Sequence, residues 1–225
     1  MSFDVSDDCM ELGLRAGAIL FRDVRIAASP LSLQAEMAEE VNNVRRRFVD
    51  VQSLRATPEL AKLHDVYRSI GISPRKTQPA SQRLAQLVLK RGELPRVNNL
   101  VDSYNVLSVR SLCCLGAHDV NRLSLPVTLK LLSGGETFTP MGGENEEAVN
   151  KGEFAYVDAK NRVVCRLDVV QAEFSKVTND STGVLLIIEG TTIHGPDRLR
   201  EVFMNTIDLV KRYCGGNHEI VWFPY

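Results

Sequence analysis

The stretch GVLLIIEG, residues 183–190, sets a row of five apolar residues between two glycines and ends that row on a carboxylate. Short runs of this kind, rich in β-branched residues and bounded by turn residues, are typical of buried strands. Similar runs lie nearby at 125–132, 153–159, 162–170 and 219–223. Turn-forming Gly, Asn and Asp residues separate them. The chain after Asp119 is therefore predicted to form an antiparallel sheet.

Before this region the spacing of apolar residues changes. LRAGAILF, residues 14–21, predicts one early strand, and from there the apolar residues recur every three or four positions. Helices are predicted over 31–49, from Thr57 to Gly71, over 81–90 and, after the strands, over 196–214. We expect an α+β fold with an antiparallel, sheet-rich and sandwich-like core against which the helices pack. The prediction is a single domain, 1–225, with a strand and helices in 1–80 and a helix and sheet-rich core in 81–225.

Composition excludes several classes of protein. The 225 residues carry a net charge of −1 with 24% charged residues, which is ordinary for a globular protein. No run approaches the roughly 18 apolar residues of a membrane-spanning helix, and the first residues are acidic where a secretory signal is basic. The five cysteines form no C-x-x-C pair, which argues against a disulfide framework and a zinc knuckle. We expect a cytoplasmic protein that needs no metal or cofactor and contacts no membrane; the oligomeric state stays open.

Positive charge is concentrated between residues 75 and 96, which hold six basic residues and one acid. A surface of this kind can contact phosphate groups, although chance bias on a solvated face explains it equally well. The candidate phosphate contacts are Arg75, Lys76, Lys90, Arg91 and Arg96.

Three polar residues, Asn98, Asp102 and Asn105, recur at helical spacing and so share one face of a predicted helix. Amide and carboxylate groups on one face can bind a polar ligand. They can equally satisfy the backbone of neighbouring loops, and the spacing does not decide between the two.

Glu189 ends the apolar run at 183–190, where a carboxylate costs free energy unless it is exposed or paired. Beside a pocket it would accept a hydrogen bond from a ligand hydroxyl or ammonium group. The alternative is that the strand simply reaches the surface at this point.

Five segments carry a resemblance to a known family, which spans most of the chain and is weakest over the first 30 residues. They are YRSIGISPRK at 67–76, LPRVNNLVDSYNVLS at 94–108, GAHDVNRL at 116–123, KGEFAYVDAKNRVVCR at 151–166 and SKVTNDSTGVLLIIEG at 175–190. In order and spacing they resemble the B3/B4 editing domain of the phenylalanyl-tRNA synthetase β subunit, especially its free-standing members. The resemblance implies a deacylase that hydrolyses mischarged aminoacyl-tRNA in trans, with water as nucleophile.

The resemblance also implies roles for individual residues. Asn105 matches an asparagine that borders the family's editing pocket, and Glu189 falls near the glutamate that reads the substrate side chain. Asn98, Asp102, Asn105, His118 and Glu189 are the implied amino-acid contacts, with Asn105 and His118 positioning the water. The five candidate phosphate contacts named above would then steer the acceptor end of the tRNA.

One position departs from the family pattern. Gly116 stands where the family segment has a pocket histidine, and His118 follows two residues later. If the segment is extended, His118 points to the same side as Gly116 and can partly replace the missing group. Two alternatives stay open: a non-catalytic module that binds tRNA or an amino acid, and a hydrolase of small esters without an RNA partner.

Overall fold

The computed structural model describes residues 2–225. Its first half consists of two strands, a short helix between them and five consecutive helices, and its second half is mainly strands. In chain order the strands and helices are β1 (Phe3–Val5), α1 (Asp7–Glu11), β2 (Leu14–Arg22), α2 (Leu31–Arg47), α3 (Val51–Arg55), α4 (Pro58–Ser69), α5 (Ala80–Arg91), α6 (Asn99–Ser111), β3 (Cys114–Asp119), β4 (Val127–Leu131), β5 (Phe154–Val157), β6 (Val163–Arg166), β7 (Val170–Gln171), β8 (Gly183–Thr191), α7 (Gly195–Cys214) and β9 (Asn217–Trp222). The expected α+β class is confirmed.

The strands form two sheets. The first has the order β1-β4-β5-β6-β7, and the second has the order β3-β8-β2-β9. All pairs are antiparallel except β1 with β4, which run parallel. Because β2 lies between β8 and β9, the strand predicted at residues 14–21 joins the sheet built by the end of the chain.

Strand β8 is buried along its whole length because both faces of its sheet are covered. Val184, Leu186 and Ile188 point to one side, where α2, α6 and α7 supply the facing apolar residues. Leu185 and Ile187 point to the other side and pack against the first sheet and α4. The molecule is thus layered as helices, sheet and sheet, and Glu189 lies by alternation on the face between the sheets.

The helices follow the apolar spacing that predicted them. In α7 the buried residues Leu199, Val202, Phe203, Ile207 and Val210 lie against the second sheet. The close approach of α7 depends on Gly17 in β2, since a Cβ there would come within 2.5 Å of the Phe203 ring. Within residues 2–225, none of the helices combines the length and the apolar character needed to cross a bilayer.

Candidate functional site

A cavity of about 240 Å³ lies where the two sheets meet α5 and α6. Three of the residues proposed from sequence line it, and each comes from a different element: Asn105 from α6, His118 from β3 and Glu189 from β8. The volume is below the roughly 300–1,000 Å³ of pockets that take drug-sized ligands, so it suits a group of amino-acid size.

The cavity wall mixes apolar and polar side chains. Leu115, Val169 and Ile187 are among the apolar lining residues, and Met141 contributes from the long loop between β4 and β5. The polar lining residues outside the sequence proposal are Tyr104, Tyr156, Asp168 and Gln171. A ligand in this cavity meets both an apolar surface and several hydrogen-bonding groups.

Glu189 is 2% exposed, so the strand does not surface there. The Tyr156 hydroxyl donates a hydrogen bond to Glu189 Oε2, whereas Oε1 is buried and has no hydrogen-bond partner among residues 2–225. Burial raises the pKa of Glu189 well above the usual value for a carboxyl group, and the nearby charge of Asp168 raises it further. One oxygen of this carboxyl group therefore needs a partner that a ligand can supply.

Asp168 is a second buried carboxyl group in the cavity wall, and the site predicted from sequence does not include it. Its Oδ1 accepts a hydrogen bond from the Tyr67 hydroxyl, and its Oδ2 accepts one from Cys114 Sγ at 2.7 Å. Burial raises the pKa of Asp168 as well. The sequence carried the signal already used for Glu189, since Asp168 interrupts the apolar run that continues through Val169 and Val170.

Two cysteines, Cys114 and Cys165, also line the cavity. Burial raises the pKa of both thiols well above the ordinary value, and the charges of Asp168 and Glu189 act in the same direction. Because the thiolate is the nucleophilic form, neither cysteine is suited to attack a substrate at neutral pH.

His118 is almost completely buried, and burial lowers its pKa to about 4. The ring is therefore neutral at pH 7. Nδ1 lies 3.2 Å from Ser175 Oγ, which leaves Nε2 for a water molecule or a substrate group.

Strand β3 is extended through the segment that departs from the family pattern. Cys114, Gly116 and His118 therefore share one face, opposite Glu189, Ile187 and Leu185 of β8. A Cβ at position 116 would lie 3.0 Å from Gln171 Nε2, so Gln171 occupies part of the space beside the glycine. The extended geometry is the one in which His118 can take over from a side chain at 116.

Asn98 and Asp102 do not line the cavity, and we remove them from the candidate site. Asn98 is the N-cap of α6 and accepts a hydrogen bond from the Val101 amide. Asp102 Oδ1 accepts from the Val97 amide at 2.8 Å, and Oδ2 accepts from Ser29 Oγ at 2.5 Å. These side chains satisfy the backbone and a neighbouring loop, which was the alternative that the spacing left open.

A larger depression of about 700 Å³ adjoins the cavity, and we call it the basic groove. It shares a wall with the cavity, formed by Ala80, Asn105, Leu115, Met141 and Val169. Its outer part includes Arg83, Lys90 and Arg91. None of these three cations forms a salt bridge with any residue that the structure describes.

The other basic residues of the sequence proposal lie elsewhere. Arg75 lines a separate depression together with Arg55 and Arg68. Lys76 and Arg96 are exposed and line neither the cavity nor the basic groove. The structure thus brings Lys90 and Arg91 beside the cavity and adds Arg83, which the sequence proposal left out.

No group of three or more His, Cys, Asp or Glu side chains within 2–225 has the arrangement of a metal site. The groups in the cavity wall that can act on a ligand are hydrogen-bonding side chains and two carboxyl groups.

The fold and the site together define an α+β domain with a small polar cavity that opens beside a basic groove. The sequence profile of the B3/4 domain family matches residues 62–215. This chain belongs to the B3/4 domain family, and the resemblance found from the sequence is confirmed.

One solved structure that the chain resembles is an N-terminal fragment of the phenylalanyl-tRNA synthetase β subunit from Pyrococcus horikoshii. The TM-score is 0.51 at 11% sequence identity, and the alignment covers 96% of this chain and 50% of the fragment. The likeness therefore concerns the fold, and this chain spans half the length of that fragment. No curated protein matches the sequence significantly.

Proposed function

We propose that this protein is a deacylase that hydrolyses mischarged aminoacyl-tRNA in trans. The observation that carries the proposal is the meeting of Asn105, His118 and Glu189 in one cavity that shares a wall with the basic groove. The cavity suits an amino acid, and the groove offers Arg83, Lys90 and Arg91 to the phosphates of the nucleic acid that carries it. The fold likeness to a fragment of a phenylalanyl-tRNA synthetase supports tRNA as that nucleic acid.

The proposed chemistry is hydrolysis of the ester between the amino acid and the terminal ribose. Asn105 and the neutral ring of His118 orient a water molecule toward the ester carbonyl carbon. The water oxygen bonds to that carbon, the bond from carbon to ribose oxygen breaks, and the ribose oxygen receives the proton. The products are a free amino acid and uncharged tRNA, and no cofactor takes part in this scheme.

The test is a deacylation assay over a panel of tRNAs that carry the wrong amino acid. We expect at least one ester to be cleaved well above its spontaneous rate and Asn105→Ala to slow that cleavage on the order of 100-fold. Asn205→Ala is the matched control, because Asn205 is also a half-buried helical asparagine but lies outside the cavity. Folded protein that cleaves no ester in the panel would refute the proposal.

A second candidate is a module that binds charged tRNA without turnover. Gly116 favours it, because the resembling family has a histidine at this position and the structure fills part of the space with Gln171. This function predicts that mischarged tRNA is bound and protected from spontaneous hydrolysis. Faster loss of the ester in the presence of the protein would exclude it.

A further inference from the structure

The cavity holds two carboxyl groups, Asp168 and Glu189, which we call the carboxyl pair. They come from different sheets, Asp168 from the turn between β6 and β7 and Glu189 from β8. Cys114 links them, since it pairs with Glu189 across β3 and β8 and its thiol donates to Asp168. Two buried carboxyl groups so arranged are costly to ionise without positive charge nearby.

No lysine or arginine among residues 2–225 lines the cavity itself. Neither Asp168 nor Glu189 forms a salt bridge with any residue between 2 and 225. The titratable groups nearby come from α4, α6, β3, β5 and β6: Tyr67, Tyr104, Cys114, His118, Tyr156 and Cys165. His118 is the one among them that can become cationic, and its pKa of about 4 keeps it neutral.

The hydrogen bonds show which oxygen is left for a ligand. Both oxygens of Asp168 and Oε2 of Glu189 accept from protein donors. Glu189 Oε1 has no partner within the described chain although the residue is 98% buried. This unpartnered atom belongs to a residue that lines the cavity, so a molecule bound there can supply its missing donor.

We infer that the carboxyl pair binds the ammonium group of the ligand. The cavity lacks a cation and a hydrogen-bond donor for Glu189 Oε1. An ammonium group supplies a positive charge and three donors, so it meets both needs. A ligand hydroxyl would satisfy Oε1 alone and leave the pair without a cation. The inference rests on the proposed function in one respect: it takes the ligand to be an amino acid on an ester.

An amino acid can present this ammonium group in two ways, as its α-ammonium or at the end of a basic side chain. Three probes separate them. L-Norleucinamide carries an α-ammonium, hexanamide is the same chain without it, and Nα-acetyl-L-lysinamide carries the ammonium on the side chain alone.

The experiment measures the affinity of the wild-type protein for each probe by calorimetry or NMR titration. We expect one ammonium probe to bind about 10- to 100-fold more tightly than hexanamide, which is the size expected for hydrogen bonds between charged groups. The tighter probe identifies the source of the ammonium. If hexanamide binds as well as both ammonium probes, or if no probe binds, the inference is wrong.

Variants then locate the effect. Glu189→Gln and Asp168→Asn should each remove most of the preference for the ammonium probe while leaving the affinity for hexanamide unchanged. Glu146→Gln removes one negative charge from an exposed position and is the control that should keep the preference. Full preference in folded Glu189→Gln would overturn the inference, and this variant keeps the test decisive if Asp168→Asn does not fold.

The two proposals can fail separately. A protein that prefers an ammonium probe but cleaves no mischarged tRNA would contradict the proposed function and support this inference. A working deacylase that binds hexanamide as tightly as both ammonium probes would do the opposite.

Discussion

Asp102 and Asn105 lie three residues apart on α6 and have different surroundings. Asp102 is fully buried and holds the Val97 amide and the Ser29 hydroxyl. Asn105 is half-buried and lines both the cavity and the basic groove. The first side chain therefore contributes to stability, and the second is available to a substrate.

This difference predicts opposite effects of two alanine substitutions. Asp102→Ala should lower the free energy of unfolding by about 2–3 kcal/mol, because it leaves buried donors without an acceptor, and should not change deacylation per folded molecule. Asn105→Ala should reduce deacylation and change stability little. Urea unfolding of both variants measures the change in stability, and single-turnover assays measure the change in the deacylation rate. A loss of activity in Asp102→Ala without a loss of stability would place Asp102 in the site after all.

His118 predicts a pH dependence of stability. Its pKa is near 6.5 when unfolded and about 4 when folded, so the unfolded chain binds more protons between these values. The contribution of His118 to the free energy of unfolding is fully present above pH 6.5. It falls by up to about 3 kcal/mol as the pH is lowered toward 4. Urea unfolding of wild type and His118→Gln from pH 7.5 to 4 should therefore converge at low pH. Parallel stability curves would show that burial does not perturb this histidine.

At the scale of strands and helices, local pattern predicted the elements well. The apolar spacing located α2, α4 and α7, and the run at 183–190 located β8. The pairing of the strands could not be read from the same pattern, because β2 joins β8 from more than 160 residues away. Tyr156 reaches the cavity only because the first sheet packs on the second, so local pattern could not identify it. Asp168 interrupts an apolar run as Glu189 does, and the sequence analysis left it out although the signal was there.

The packing of α7 on the second sheet predicts a contrast between two strand glycines. Gly17→Ala places a methyl group 2.5 Å from Phe203 Cζ and 2.8 Å from the Trp222 carbonyl oxygen, so we expect a loss of about 1–3 kcal/mol in the free energy of unfolding. Gly116→Ala is the matched control, because its methyl group meets only the end of the flexible Gln171 side chain. Equal losses in the two variants would contradict this account of the helix packing.

At the scale of the molecule, charge is unevenly placed. The net charge of −1 gives no general attraction to nucleic acid, yet the basic groove presents Arg83, Lys90 and Arg91 without carboxylate partners in the described chain. The tRNA binding that we propose should therefore depend on these few cations. The predicted single domain and cytoplasmic location stay predictions.

Reversing charge in the groove tests this placement. Lys90→Glu and Arg91→Glu should each weaken tRNA binding and reduce the slope of log affinity against log salt by about 1. Lys211→Glu reverses an exposed charge on α7, outside the groove, and should leave the slope unchanged. The measurement is the affinity for tRNA at salt concentrations from about 50 to about 300 mM, where charge screening changes strongly. Equal effects of all three variants would point to unspecific attraction.

The central position of β2 has a practical consequence for the limits of this domain. The family profile begins at residue 62 and ends at 215, so it omits both β2 and β9. A recombinant fragment trimmed to that profile would expose the backbone of β8 along nine residues, the strand that carries Glu189. Bare strand edges of this length invite aggregation. The family profile thus leaves out a strand on which the second sheet is built, and a fragment for expression should begin before β2.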